Sequence, residues 1–225
     1  MRLWEYPFTE KPTVFTGHTK DVLSCHFGAN NRVIYSGSMD KTVKIWNVMG
    51  ELKYTGTDFN GWVSCLTPIQ GGKESSMMAV GSWDNKVRIF DKDFKLIKGI
   101  GSIDYPVVSM SVDDESGEFL FVAEKNGSIK IWALGGENQA DELKQHYDLG
   151  TDIFAISYEP VYTSLFSVGT SNGLTIKDIA EGRDLFTFSY GSNVSCLSLA
   201  FDKSRQFLFA GFSDGLIRVY RFRSE

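Results

Sequence analysis

Along the chain, short stretches in which apolar and basic residues alternate return at a nearly constant spacing. Arg2-Leu3-Trp4 is followed by VKIW (Val43 to Trp46), VRIF (Val87 to Phe90), IKIW (Ile129 to Trp132), LTIK (Leu174 to Lys177) and IRVY (Ile217 to Tyr220). Their last positions, 4, 46, 90, 132, 177 and 220, are separated by steps of 42, 44, 42, 45 and 43 residues. Alternation of this kind marks a half-buried strand. Six residues before each end lies a turn residue: Asp40, Asp84, Asn126, Ser171 and Asp214. Gly127, Gly173 and Gly215 follow closely in three of them, as tight hairpin turns require. An apolar run precedes each hairpin (VIYSGS, MMAVGS, FLFVAE, SLFSVGT, FLFAGFS), and a further one precedes that (VLSCHF, WVSCLT, VVSMSV, IFAISY, VSCLSL). A more polar strand, such as ELKYTG or DLFTFS, follows every phrase but the last. The pattern predicts four strands per unit. The two inner ones are expected to be buried on both faces and the outer one to be a mixed edge. Counted along the chain, this gives two strands, four complete units and three strands, 21 in all.

A sequence period of about 40–45 residues is that of four-stranded propeller blades. The expected fold is therefore all-β, a propeller of about five blades of four-stranded antiparallel sheet. As a single domain over 1–225 it divides into a partial blade 1–15, blades at about 16–57, 58–101, 102–148 and 149–190, and a partial last blade 191–225. The stretch Gly135 to Asp148 reads as a polar loop leading into an outer strand. Ser24-Cys25, Ser64-Cys65 and Ser195-Cys196 fall at one place in three units, with the thiols expected to be small buried side chains of the innermost strand.

Composition narrows the function classes. The 225 residues are 42% hydrophobic, 23% charged and 14% aromatic, with 22 glycines, which suits short strands joined by tight turns. No apolar run approaches the length of a membrane span, and the opening residues have no apolar stretch of secretory type. A net charge of −5 does not point to nucleic acid in bulk. Three cysteines without a CxxC pair fit neither a disulfide framework nor a thiolate zinc site, and make a reducing compartment the expectation.

Gly17-His18 before the inner strand and Trp46 at the end of the third strand resemble the WD-repeat family of β-propellers. That family holds its blades with a hydrogen-bonded chain of His, Ser, Asp and Trp, and the matching residues here are His18, Ser36, Asp40 and Trp46. Elsewhere the pattern thins: Asp84 stands with Val80 and Phe90, Asn126 and Trp132 with Val122, Ser167 with Lys177, and Asp214 with Ala210 and Tyr220. The run from Thr16 to Cys65, then Ser82-Trp83-Asp84 with Lys86 and the ending Leu208 to Val219, look like the receptors for activated C kinase within that family. These are G-protein-beta-like scaffolds of the small ribosomal subunit. The likeness is strong over Thr16–Cys65 and Ser195–Tyr220. It implies a non-catalytic cytoplasmic scaffold without cofactors, with partners among protein kinase C, other signalling proteins, and the proteins and RNA of the small ribosomal subunit. It also implies seven blades, or 28 strands. Seven strands at the amino end have no counterpart here, including the strand that locks the ring and the first blade, which bears the family's main basic contacts to ribosomal RNA. The family's kinase-docking element would fall at Gly173 to Asp178, with Lys177 in place of its tryptophan.

His18, Ser36 and Asp40 have the residue types of a hydrolase triad, but their spacing and glycine context indicate a structural network. There is no P-loop, HExxH or Gly-x-Ser-x-Gly, and His26 and His146 have no ligand partner at metal spacing. No catalytic, cofactor-binding or metal residue is assigned. The candidate partner-binding rim consists of Asp21, Met39, Trp62, Trp83, Tyr105 and Lys125. Trp62, Trp83 and Tyr105, placed in adjacent blades, either form an exposed hot spot or pack on neighbouring loops. Lys41 and Lys86, after the turns, are candidate phosphate contacts, with a solvated role as the alternative. Three-quarters of a seven-blade ring would leave strand edges open and allow self-association. The expectation is either a fragment or truncated product, or a five-blade closure. In the closure, Met1 to Phe15 complete the blade begun by Val194 to Phe212 and leave Ile217 to Tyr220 surplus or swapped.

Overall fold

The computed structural model describes residues 1–4, 7, 11–28, 31–69, 77–113, 116–135, 140–159, 165–202 and 206–222. These form two compact units, 1–106 and 107–225. Among the described residues every regular element is a strand, 21 in number, and no helix is long and apolar enough to cross a membrane.

The first unit opens with a ribbon of β1 (Arg2–Leu3) and β2 (Thr13–Val14). A first sheet follows, of β3 (Val22–Phe27), β4 (Val33–Ser38), β5 (Val43–Asn47) and β6 (Leu52–Gly56). Its second sheet holds β7 (Val63–Ile69), β8 (Met77–Ser82), β9 (Lys86–Phe90) and β10 (Leu96–Gly99). The second unit contains a third sheet of β11 (Val107–Val112), β12 (Phe119–Glu124), β13 (Ser128–Ala133) and β14 (Glu142–Asp148). The fourth sheet is β15 (Ile153–Glu159), β16 (Leu165–Thr170), β17 (Gly173–Asp178) and β18 (Asp184–Phe188). A three-stranded fifth sheet ends it: β19 (Cys196–Phe201), β20 (Phe207–Phe212) and β21 (Ile217–Arg221). Within each sheet the spatial order is the chain order, and every pair is antiparallel. The stretch Gly135 to Asp148 thus ends in the outer strand β14; residues 136–139 within it lie outside those described.

Burial divides the strands differently from the expectation. The second strands β4, β8, β12 and β16 bury all but their first residue. The innermost strands do not follow: β3 exposes Leu23, Cys25, His26 and Phe27, and β19 exposes Leu197 and Ser198. Every innermost strand carries a bulge near its start, after Val22, Val63, Val107, Ile153 and Cys196. An extra residue in one strand shifts everything after it, but the bulge is common to all five strands; the three cysteines separate because Cys25 lies three residues after Val22, Cys65 two after Val63, and Cys196 itself holds that first place. Cys25 pairs with Ser36, Cys65 with Gly81 and Cys196 with Phe212, so the Ser-Cys pairs do not share a register. Cys25 is exposed. Cys65 and Cys196 are buried, and burial pushes their thiols up to about 12 and about 11.

Successive innermost strands lie against one another within each unit, β3 on β7, and β11 on β15 on β19. Here an edge that would otherwise expose free amides is closed by serine hydroxyls. Leu66 N–H donates to Ser24 Oγ (3.1 Å), and in the second unit Ile156 N–H to Ser109 Oγ (3.2 Å) and Tyr158 N–H to Ser111 Oγ (3.0 Å). Close approach depends on missing side chains. A Cβ on Gly37 would lie 2.5 Å from Val63 Cγ1, and one on Gly169 2.6 Å from the Cys196 carbonyl oxygen. Between the sheets sit the apolar cores, Tyr35, Val43 and Ile45 with Val63, Leu66 and Phe90 in the first unit, and Phe121, Ile131, Ile156 and Phe166 in the second.

The fourth hairpin is one residue shorter than the others. Gly169 pairs with Leu174, whereas Gly37 pairs with Val43 across one more residue. Val168, not Ser167, therefore occupies the register of Ser36. The turn residue is Asn172 rather than Ser171: its N–H donates to Thr170 Oγ1 (3.2 Å), as Asp40 N–H does to Ser38 Oγ (3.0 Å) and Asp84 N–H to Ser82 Oγ (3.2 Å).

Candidate functional site

The candidate residues gather where the first strand begins and the second ends, at the hairpin tips. In the first sheet, His18 arrives from the segment before β3, Ser36 from β4, Asp40 from the turn and Trp46 from β5. His18 Nδ1 lies 2.8 Å from Asp40 Oδ2 and His18 Nε2 2.8 Å from Ser36 Oγ, which also accepts Trp46 Nε1–H at 2.8 Å. Asp40 further accepts the Thr42 hydroxyl (2.6 Å) and the Thr19 N–H (3.0 Å). Burial alone would raise this carboxyl. The bonds from Thr42, Thr19 and His18 outweigh it and hold the group down to about 2. Ser36 is fully buried, and its hydroxyl lies between His18 Nε2 and the Trp46 indole N–H.

The second sheet lacks the histidine and rebuilds the tip. Phe59 stands at the His18 position, Val80 replaces Ser36 and Phe90 replaces Trp46. Asp84 is gripped instead by Arg88, four residues on, in a two-pronged bond of 3.1 and 2.8 Å. Asn60 N–H donates to Asp84 at 3.1 Å, as Thr19 does to Asp40, and the guanidinium lies 5.1 Å over the Phe59 ring. Burial would raise the Asp84 carboxyl, but the Arg88 fork and the Asn60 amide hold it below its usual range. The fifth sheet repeats the device: Arg218 binds Asp214 at 3.2 and 2.7 Å, with the guanidinium 4.0 Å over Tyr190 and 4.5 Å over Phe212. In the third sheet the same strand position holds Lys130, paired with the fully buried Glu124 at 2.9 Å. In the first it holds Lys44, which donates to Thr55 Oγ1 at 3.0 Å. The readable signal was the basic residue at the second place of the phrases, missing only from LTIK, and in three of them four residues after the turn acid, twice as arginine.

Two half-networks remain. Trp132 keeps the place of Trp46, but Val122 has the register of Ser36, opposite Lys130, and Trp132 Nε1 has no hydrogen-bond partner among the described residues. Ser167 Oγ is likewise buried without a partner among them.

At the tips, the residue just before the first strand is bonded to the residue just after the second. Met39 N–H donates to Asp21 O (3.0 Å), Trp83 N–H to Trp62 O (2.8 Å), Ser171 N–H to Asp152 O (3.0 Å) and Ser213 N–H to Ser195 O (2.9 Å). Trp62 and Trp83 therefore belong to one sheet, not to adjacent ones. Their half-buried indoles stack at 4.4 Å between centroids and 28° between planes. Gly61 makes room, since a Cβ there would sit 2.4 Å from Asp84 N. Tyr105, one place before the tip position held by Pro106, is exposed, as is Asp21; Met39 is half-buried. Lys125 is exposed at the corresponding tip of the second unit. Lys41 and Lys86 are both exposed but not equivalent. Lys41 occupies the left-handed turn position (φ 66°) that Asn85 (φ 60°) takes in the second sheet, and Lys86 begins β9. Lys177 is buried within β17 and paired with Asp184.

A family model described as "WD domain, G-beta repeat" matches residues 9–47, 50–91 and 182–221. Among curated proteins, the chain is 28% identical to a guanine nucleotide-binding protein subunit beta-like protein of Encephalitozoon cuniculi, over 96% of this chain and 70% of the relative. It is 34% identical to the small ribosomal subunit protein RACK1 of Caenorhabditis elegans, over 91% of this chain and 51% of that one. The COMPASS component SWD3 of Saccharomyces cerevisiae is 29% identical over 71% of this chain and 55% of its own length.

Proposed function

Because the chain belongs to the WD-repeat family, we propose that it is a non-catalytic scaffold of the kind typified by the receptor for activated C kinase. It binds the small ribosomal subunit in the cytoplasm and recruits signalling proteins such as protein kinase C. The observation that carries the binding role is the aromatic tip of the second sheet. Two stacked indoles, held by the bond from Trp83 N–H to Trp62 O, offer the large, rigid, partly wet surface on which interface energy concentrates. In this reading Trp62, Trp83, Met39, Asp21 and Tyr105 of the first unit and Lys125 of the second are the groups a protein partner meets, and Lys41 and Lys86 are those that meet RNA phosphate. The ribosomal part is supported by the 34% identity to a small ribosomal subunit protein. The non-catalytic part is supported by the full burial of Ser36, whose hydroxyl no substrate can reach, and by its bond to the Trp46 indole.

Sedimentation of a lysate of the source cells through a high-salt gradient tests the ribosomal part. Co-migration with small subunits, weakened by the double variant Lys41→Glu, Lys86→Glu, is the expected result. A protein found wholly in the post-ribosomal fraction would falsify it. A second reading, an adaptor working away from the ribosome with protein partners only, is favoured by the likeness to a component of COMPASS. It predicts protein partners that are lost on Trp83→Ala and no migration with ribosomal particles.

A further inference from the structure

We propose that the aromatic tip of the second sheet binds a proline-rich segment of a partner protein in the polyproline II conformation. The proposal rests on the scaffold reading above and names the chemistry of one partner for the same tip. Every residue it uses lies in the first unit. Trp62 and Trp83 stack there, half-buried, with 4.4 Å between centroids. A third ring joins them from the segment after β10. Asn85, two residues after Trp83, donates its side-chain N–H to the Asp104 carbonyl oxygen (2.9 Å), and this bond holds the neighbouring Tyr105, 48% exposed, at the tip. Asn85 stands in the left-handed turn (φ 60°), which asparagine adopts more readily than most residues.

The polar groups at this tip call for a ligand rich in acceptors and poor in donors. Three carbonyl oxygens are already engaged: Trp62 O receives Trp83 N–H (2.8 Å), Asp21 O receives Met39 N–H (3.0 Å) and Asp104 O receives Asn85. The Trp62 indole N–H donates to no group among the described residues. A proline tract has the matching chemistry. It carries carbonyl acceptors and no backbone N–H, and its preset extended conformation leaves little entropy to lose on binding. Its rings lie against aromatic faces, and Trp and Tyr combine such a face with a polar edge. Charge points the same way. In the tips of the first two sheets and the segments 16–21, 57–62 and 100–106 beside them, the exposed charged side chains are Lys20, Lys41 and Lys86 against Asp21, Asp58 and Asp104. Equal numbers of each sign leave no net field to draw an acidic or a basic peptide, which suits an uncharged ligand.

Titration of the whole chain with a decaproline peptide, followed by calorimetry and tryptophan fluorescence, tests this. The expected result is saturable binding with an affinity unchanged between low and high salt, and no binding of a Gly-Ser peptide of equal length. Trp83→Ala weakens binding by at least about tenfold, as loss of an interface hot spot does. Trp62→Phe keeps an aromatic ring in the stack and removes only the indole N–H, and weakens binding about fivefold. Asn85→Gly keeps the left-handed turn, releases Tyr105 and weakens binding by a similar factor. No binding by the wild-type chain, a Trp62→Phe variant that binds as tightly as wild type, or an affinity that falls with salt overturns the proposal. Co-migration with small subunits without decaproline binding overturns this proposal alone. Decaproline binding by a chain absent from small subunits overturns only the ribosomal reading.

Discussion

At the scale of single residues, the chain poses the same problem twice and solves it once. The Trp46 indole N–H has Ser36; the Trp132 indole N–H faces Val122 and has no acceptor among the described residues. A buried donor without an acceptor costs about 1–3 kcal/mol. Ser36→Ala would leave both Trp46 Nε1 and His18 Nε2 unpaired and should cost about 2–4 kcal/mol by urea denaturation. At Val122 the comparison that isolates the hydrogen bond is Ser against Ala. Both lose the valine methyls, but only Ser can accept from Trp132, so Val122→Ser should be more stable than Val122→Ala by about 1–2 kcal/mol. Equal stabilities would show that Trp132 finds no acceptor at that register. Asp40 gives a dependence on pH. Its carboxyl lies near 2 in the folded protein against 3.8 ordinarily, so folding is stabilised while the group is ionised. That stabilisation is fully present above about pH 4 and is lost as pH falls toward 2. Discounted for partial solvation, it amounts to about 1–2 kcal/mol. Asp40→Asn should be less stable than wild type at pH 5, with the gap closing by about that amount at pH 2.5.

At the scale of elements, the hairpin tip is a unit whose chemistry is replaced as a set. Where the imidazole is absent, a guanidinium from the third strand takes the carboxylate in a two-pronged grip and an aromatic ring lies over it. A lysine cannot reproduce the fork or the stacking, so Arg88→Lys should cost about 1–2 kcal/mol and let the Asp84 carboxyl titrate nearer its ordinary value. Lys53→Ala, which removes an exposed ion pair with Glu51, should change stability by less than about 0.5 kcal/mol. An Arg88→Lys variant as stable as wild type would rule out the fork as the support of that tip. Much of this level was legible. The phrase period located the third strand of every sheet, the turn acids located the tips, and His18, Ser36, Asp40 and Trp46 could be named from their types and order. What escaped was whatever depends on a one-residue offset. The first strands start pairing at different distances from their cysteines, which takes these out of common register, and the shortened fourth hairpin put Val168 where Ser167 was expected. Neither the start of pairing nor the length of a turn leaves a residue type that marks it. The Asp–Arg pairs were visible as a spacing of four, but along a strand interrupted by a turn that spacing has no fixed meaning until the turn is known.

At the scale of the molecule, the lesson about burial is that rank within a sheet does not decide it. Both inner strands were expected to be buried on both faces because their sequences are nearly all apolar or small. Water is excluded, though, only where a neighbour lies on the face: β3 and β21 expose apolar positions that the equivalent strands β7 and β5 bury. Charge is also uneven along the chain, with 13 basic and 11 acidic residues in 1–106 but 10 and 17 in 107–225. A basic or phosphate-bearing partner would therefore distinguish the two units by field before it touched either.

Finally, strand order in each sheet repeats chain order without a crossover. Every hydrogen-bonded neighbour is the next strand in sequence, so closing a sheet never demands a long loop, and the barrier set by loop entropy stays low. During synthesis at roughly 5–20 residues per second, about 43 residues emerge every ~2–9 seconds, while a hairpin forms in ~1–10 microseconds. Each sheet has therefore had ample time to pair its strands before the next has left the ribosome, and the chain is built as it is read, one sheet at a time.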